Sequence, residues 1–266
     1  MIGARATPRL VFGPSVQPGE RVLPEEVAIA LSFNGTTQAV MMATPAELED
    51  FAVGFARTEG IARPEEILSV EVVEVPRGLD VQVWLRPEAE ARLADRRRKM
   101  SGPVGCGLCG IDSIDQALRE VPVVAPSRFR MTPAQVLAAV AALPGEQRLH
   151  DATRSVHGAA FWNGRVLLAR EDVGRHNALD KLVGGMLRQG IAPQGAVVLT
   201  SRVSTDMVQK VAMLGAPMMI AVSAPTVAAV ELAEASGITL VALARGDRFE
   251  VFSHTDRIQT EEAHVG

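Results

Sequence analysis

Two cysteines, Cys106 and Cys109, sit in the glycine-flanked run GPVGCGLCGIDSID, and the 266-residue chain has no others. A C-x-x-C pair can help hold zinc, cycle between dithiol and disulfide, carry a group on one thiolate, or lie buried as two small hydrophobes. A structural zinc site needs four ligands, and the five histidines show no H-x₃₋₅-H spacing to complete one. A thioredoxin-like pair opens a helix directly after a strand, whereas the segment before this pair reads as a helix and a Gly/Pro loop. Gly102, Gly105, Gly107 and Gly110 describe an exposed, limber loop, a poor place to bury a thiol. A carrier thiol must be nucleophilic, reachable and able to swing. Arg96, Arg97, Arg98 and Lys99 lie just upstream and favour a thiolate, while Asp112 and Asp115 oppose it. The pattern favours a sulfur or acyl carrier and leaves the other three readings open.

A second group of polar residues lies further along. The run REDVGRHNALDKLVG sets Asp172, Arg175, His176, Asn177, Asp180 and Lys181 within about three helical turns. TSRVSTDM places Ser201, Arg202, Ser204 and Thr205 between a strand end and a helix start, and VSAPT repeats the arrangement with Ser223 and Thr226. Each has a plainer reading: Ser and Thr as helix caps, His176 as a structural side chain. In an open α/β sheet, however, such turns share one edge, where helix N-termini offer N–H groups to anions. By position, Arg175, His176, Asn177, Ser201, Arg202, Ser204 and Ser223 are the candidate contacts of an anionic ligand. LARGDR (243–248) joins the last two strands. Its Asp247 can accept the N–H donors of a guanine base and its arginines can stack or pair with phosphate, although Arg-Gly-Asp in a hairpin is ordinarily a plain turn. No G-x-x-x-x-G-K-[ST] and no G-x-G-x-x-G occur, which removes support for a P-loop or Rossmann site.

The elements that hold these residues follow from periodicity and turn chemistry. Residues 1–22 are rich in Pro and Gly and are expected to be irregular. VAIALSF-NG-TTQAVMM predicts a β-hairpin, so the sequon Asn34-Gly35-Thr36 reads as a turn rather than a glycan site. Thr44, Pro45 and Glu47 predict an N-cap, first turn and capping box for a helix that Gly60 stops. ILSVEVVEV and LDVQVWL predict strands, PEAEARLADRRRK a polar helix, and residues 112–118 a short helix after the cysteines. TPAQVLAAVAAL predicts another helix, and SVHGAAFW-NG-RVLLARE a second hairpin. Then helices at 176–189, 204–214 and 226–235 alternate with AVVLTS, MMIAV and TLVALA, and FEVFS closes the series. That alternation implies a largely parallel sheet with helices on both faces. The expected fold class is therefore α/β. A smaller N-terminal α+β domain (23–100) is followed by a cysteine loop and connector (101–131) and a C-terminal sandwich (132–266).

The totals narrow the function. The chain is 47% hydrophobic and 22% charged with a net charge of −4, which argues against nucleic acid or an anionic membrane as its main partner. No apolar run reaches the ~18 residues of a membrane span, and the N-terminus lacks a signal pattern. The expected compartment is the cytoplasm, where thiols stay reduced.

GCGLCG, HDAT, REDVGRHNALDKLVG, SRVSTDMVQK, VSAPT and ARGDRFEVF occur in this order. Together, from about Glu25 to His254, they resemble the formate dehydrogenase accessory protein family, the FdhD-type sulfurtransferases. The resemblance implies a cytidine-deaminase-like, three-layer αβα C-terminal domain. It implies a protein that accepts persulfide sulfur from a cysteine desulfurase and passes it to the molybdenum cofactor, in its bis-molybdopterin guanine dinucleotide form, for the formate dehydrogenase apoprotein. Carried over by motif, Cys106 is the persulfide residue, with Cys109 beside it, and Leu243, Ala244, Arg245, Gly246, Asp247 and Arg248 contact the guanine dinucleotide. A homodimer is also implied. Deaminases of that fold hold zinc with H-x-E and P-C-x-x-C. Here Ala178 stands two residues after His176 and the second segment has no cysteine, so no metal site is expected. A cofactor-binding chaperone without chemistry and a thiol oxidoreductase are the alternatives.

Overall fold

The computed structural model describes residues 2–99 and 120–259. Cys106, Cys109 and the helix expected at 112–118 lie outside the described residues.

Residues expected to be irregular instead form an antiparallel ribbon of β1 (Ala4–Phe12) and β2 (Val16–Pro24). A two-stranded ribbon leaves half its N–H groups facing solvent, so Pro8 and Pro18 are tolerated there. Its side chains are mostly exposed, and no apolar alternation betrays the strands.

β3 (Val27–Phe33) and β4 (Thr36–Ala43) pair antiparallel around Asn34 (φ 46°) and Gly35 (φ 74°). Two successive left-handed residues match the twist of the flanking strands, which explains the Asn-Gly. Helix α1 (Leu48–Thr58) starts after Glu47 (φ 47°), not after Thr44 as the capping pattern suggested. Thr44 is fully buried and directs its polar atoms to residues 128 and more positions away. β5 (Ile67–Val75), β6 (Gly78–Leu85) and α2 (Pro87–Lys99) complete this part. The sheet order is β4-β3-β6-β5, with β3 and β6 parallel. Alternate residues Ile29, Leu31, Phe33 and Val81, Val83, Leu85 point to one face, where Phe51, Phe55 and Leu93 meet them. Burying a side chain such as Phe33 or Phe51 contributes roughly 1.5–3 kcal/mol each.

The second part opens with α3 (Pro133–Ala142). Thr132 caps it reciprocally with Gln135: the Gln135 N–H donates to Thr132 Oγ1 at 3.3 Å and the Thr132 N–H to Gln135 Oε1 at 2.8 Å. A short α4 (Arg148–Thr153), not anticipated, precedes β7 (His157–Trp162) and β8 (Val166–Asp172). There follow α5 (Arg175–Arg188), β9 (Ala196–Leu199), α6 (Thr205–Leu214), β10 (Met218–Ala221), α7 (Val227–Ala235), β11 (Thr239–Arg245) and β12 (Arg248–Val251). The sheet order is β12-β11-β10-β9-β7-β8. β9, β10 and β11 are parallel, and β8 shares their direction because β7 opposes both β8 and β9. Leu179, Val208, Val211 and Ala233 of α5, α6 and α7 pack on one face, against Phe161, Leu199 and Leu240. Val136 and Ala139 of α3 cover the other, on Val198, Ile220 and Val241. Burial on both faces is why AVVL and MMIA read as unbroken apolar runs. The fold is mixed α/β, and this part is layered helix, sheet, helix.

The two parts meet where α1 crosses α5. A Cβ on Gly54 would lie 1.7 Å from the Asp180 carbonyl oxygen, and one on Gly184 1.8 Å from that of Asp50. The two backbones touch, which only glycine permits.

Candidate functional site

The polar block 170–181 divides between two environments. Asp172, at the end of β8, is fully buried. It accepts from the Thr44 N–H at 3.0 Å, the Gly174 N–H at 2.8 Å and Asn177 Nδ2 at 3.0 Å, and pairs with Lys181 Nζ at 2.7 Å. Lys181, also fully buried, donates to the Thr44 carbonyl at 2.8 Å, and Asn177 to the Met42 carbonyl at 2.9 Å. One turn on, Asp180 accepts from Thr58 Oγ1 at 2.6 Å and from Lys210 Nζ at 2.9 Å, while Lys210 also reaches Glu59 at 3.0 Å. Burial opposes the charge of Lys210, but Asp180 and Glu59 raise its pKa above the usual lysine value. Asp50 sits between Arg170 at 2.7 Å and Arg188 at 2.6 Å. Arg170, Asp172, Asn177, Asp180 and Lys181 thus lace the second part to α1 and β4. Asn177, a candidate ligand contact, is turned inward to that lacing.

Arg175 and His176 lie at the other environment. The shared direction of β8, β9, β10 and β11 brings their C-terminal ends to one edge, as the alternation predicts. Gly174 precedes α5 and Ser204 precedes α6, and neither helix start has a side-chain cap. The first turn of α5 keeps N–H groups that suit an anion, whereas at the start of α6 the Asp206 carboxylate takes its own backbone N–H. Thr226 caps α7, its Oγ1 accepting from the Ala229 N–H at 3.3 Å. His176 Nε2 pairs with Asp206. Burial works to raise the Asp206 pKa, yet hydrogen bonds from His176 and Ser204 and the His176 charge hold it well below the usual carboxylate range. His157, paired with Asp172 in the β7–β8 register, has its pKa lowered by burial and by Arg175, His176 and His150. Arg202, Arg245, Asp247 and Arg248 are exposed at the same edge, whereas Ser201 is buried and bonds the Arg202 carbonyl at 3.1 Å.

A family model for the FdhD/NarQ family matches residues 24–259. The chain belongs to the FdhD/NarQ family. It is 55% identical over 244 residues to the sulfur carrier protein FdhD of Agrobacterium fabrum (strain C58), covering 90% of each chain. Its identity to the sulfur carrier protein FdhD of Brucella abortus biovar 1 is 52% over 246 residues, 91% of each. A crystal structure from Desulfotalea psychrophila, described as a formate dehydrogenase accessory protein, superposes with a TM-score of 0.74 at 27% identity, covering 96% of this chain and 99% of that one.

In this FdhD/NarQ chain the 243–248 turn is locally irregular. The β11–β12 register shifts between Ala242 and Arg245, and Leu243 takes a left-handed backbone (φ 52°) with its N–H on the Ser223 carbonyl at 3.2 Å. A branched residue there is strained, and such outliers collect at ligand sites. Ala244 points into the core under α3, while Gly246 (φ 64°) makes the turn. Leu243 borders an open depression of about 450 Å³, walled by Pro225, Val227, Val230 and Phe252, with Glu231 at its side. Sequence reading missed Glu231, Phe252 and Asp206. The i, i+3, i+4 spacing of Val227, Val230 and Glu231 was visible, but Phe252, just after β12, joins them only in the folded chain. A second depression, about 350 Å³, lies near α1 among Glu49, Val53, Ile67 and Arg188; there Glu49 and Arg188 already pair with each other.

Proposed function

We propose that this protein is a sulfurtransferase that carries sulfur for formate dehydrogenase maturation, and that its second substrate is molybdenum bis-molybdopterin guanine dinucleotide held at the sheet edge. The relatives named sulfur carrier protein FdhD support the carrier role. The observation that carries the cofactor reading is the convergence of four strand ends. They set the starts of α5 and α6, Arg175, Arg202, Arg245 and Arg248 along one edge of the sheet, and an apolar depression opens at the β11 end of that edge. Helix N-termini and guanidinium groups suit pyrophosphate, and apolar walls suit a planar base.

The Cys106 thiolate attacks the terminal sulfur of a persulfide on a cysteine desulfurase. A new S–S bond forms to Cys106 as the donor cysteine leaves as thiolate. Cys109, three residues further along the sequence, resolves or shields that persulfide. The Cys106 S–S bond then breaks and Cys106 leaves as thiolate. The outer sulfur passes to the cofactor destined for the formate dehydrogenase apoprotein; the cofactor, as acceptor, supplies the electron pair for the new bond, with these steps in the cytoplasm. A homodimer fits the exposed apolar side chains Phe12, Val40, Met42 and Trp84.

Mass spectrometry after incubation with a desulfurase and cysteine tests the carrier step. The Cys106 peptide gains one sulfur, and a Cys106→Ala protein fails to restore formate dehydrogenase activity in a deletion strain. Full activity with Cys106→Ala, or a two-hydrogen loss in place of the sulfur gain, overturns the reading.

A further inference from the structure

We propose that Glu231, not Asp247, reads the guanine base. This rests on the reading above that a guanine dinucleotide binds at this edge, and it assigns the residue that makes the site choose guanine. Val227, Val230, Leu243 and Phe252 wall the depression, and Glu231 is the one ionisable group on its lining. Its volume, about 450 Å³, falls in the range of small-molecule sites. Val227, Val230 and Glu231 share a helix face by i, i+3, i+4 spacing, so the carboxylate stands on a rigid element beside the apolar walls. Among the described residues Glu231 makes no side-chain hydrogen bond or ion pair.

A carboxylate only accepts, and it best accepts two parallel donors at once. Guanine presents N1–H and the 2-amino group side by side. Adenine presents a donor beside an acceptor on its corresponding edge, and a carboxylate repels the latter. Faces held by Val230, Leu243 and Phe252 with an edge held by Glu231 therefore select guanine. Asp247 occupies a different place. It lies beyond Gly246 at the exposed tip of the β11–β12 turn, off the lining of the depression and between Arg245 and Arg248. That tip, with its two guanidinium groups, suits phosphate.

Isothermal titration of the full-length protein with GDP, xanthosine diphosphate and ADP tests the assignment. The wild type prefers GDP. Glu231→Gln weakens GDP binding by about 10- to 100-fold, the discrimination of one bidentate pair. It also gains xanthosine diphosphate, because a carboxamide offers an acceptor to N1–H and a donor to the 2-oxo group. Asp247→Asn keeps the wild-type preference. Glu231 is exposed, so circular dichroism shows both variants folded. Wild-type GDP affinity in Glu231→Gln, or the switch to xanthine appearing in Asp247→Asn, overturns this inference and leaves the edge site standing. A wild type that binds no GDP overturns the edge site and the inference together.

Discussion

Helix α5 carries charge in two directions, and the two groups live under different physics. On its inner side Asp180 and Lys181 are buried and supplied with partners: Lys210 and Thr58 for one, Asp172 and the Thr44 carbonyl for the other. At its start Arg175 faces the edge that also bears Arg202, Arg245 and Arg248, and among the described residues these four make no ion pair. Taking a charge out of water costs several kcal/mol unless partners replace the lost hydration. The inner charges thus fix which surfaces of the two parts meet. The outer ones keep their capacity to bind. Residue type alone does not separate these roles, since both sets come from one polar stretch of sequence.

The comparison can be broken most severely from the inside. Lys181→Ala leaves Asp172 buried without its cation and should destabilise the protein by about 3–5 kcal/mol, read from urea unfolding midpoints. A change within error would show that the lacing is not structural. Gly184→Ala drives a methyl against the Asp50 carbonyl and should cost about 1–3 kcal/mol, seen as a lower melting temperature. An unchanged one would mean that the helices separate freely.

Asp206→Asn acts at the edge and shows itself through pH. The Asp206 pKa is depressed in the folded state. Its stabilisation is present above the unfolded value of about 3.9 and is lost as pH falls from there toward the folded value. The wild type should therefore lose stability in acid more steeply than Asp206→Asn below about pH 4. Parallel acid profiles would deny the His176 pair any part in folding. The smallest effect is expected for Leu243→Gly. Glycine accepts φ 52° without strain, which offsets the lost side chain and leaves stability within about 1 kcal/mol. GDP affinity should fall all the same, because one wall of the depression is gone. A large loss of stability would make Leu243 a packing residue rather than part of a site.

Much of the frame was legible. Asn34-Gly35 and the apolar alternation around it predict the first hairpin, and Thr132 with Gln135 predicts the start of α3. Alternating strands and helices predict that the ends of β8 to β11 share one edge, because chain direction follows from the order of elements. Local rules failed where distant residues took over. Thr44 has the pattern of an N-cap, but Asp172, Val173 and Lys181 claim its polar atoms, and α1 begins later. Residues 4–24 form a ribbon whose side chains lie mostly in solvent, so no periodic burial marks it. Asn177 looked like a ligand contact because a polar cluster does not announce whether it faces water or another helix. Glu231 was hidden for the opposite reason: it reads as an ordinary surface position of α7 until Phe252 is set beside it.

The reciprocal glycines at the α1–α5 crossing have a mechanical consequence. Each backbone lies in the notch left by the other's missing side chain, like two halved timbers in a lap joint. Such a joint resists sliding along either helix axis, and the charges around it act as pegs. Force applied to the smaller sheet is therefore passed to the larger one as a push on a single solid, with the strand ends kept at a constant spacing.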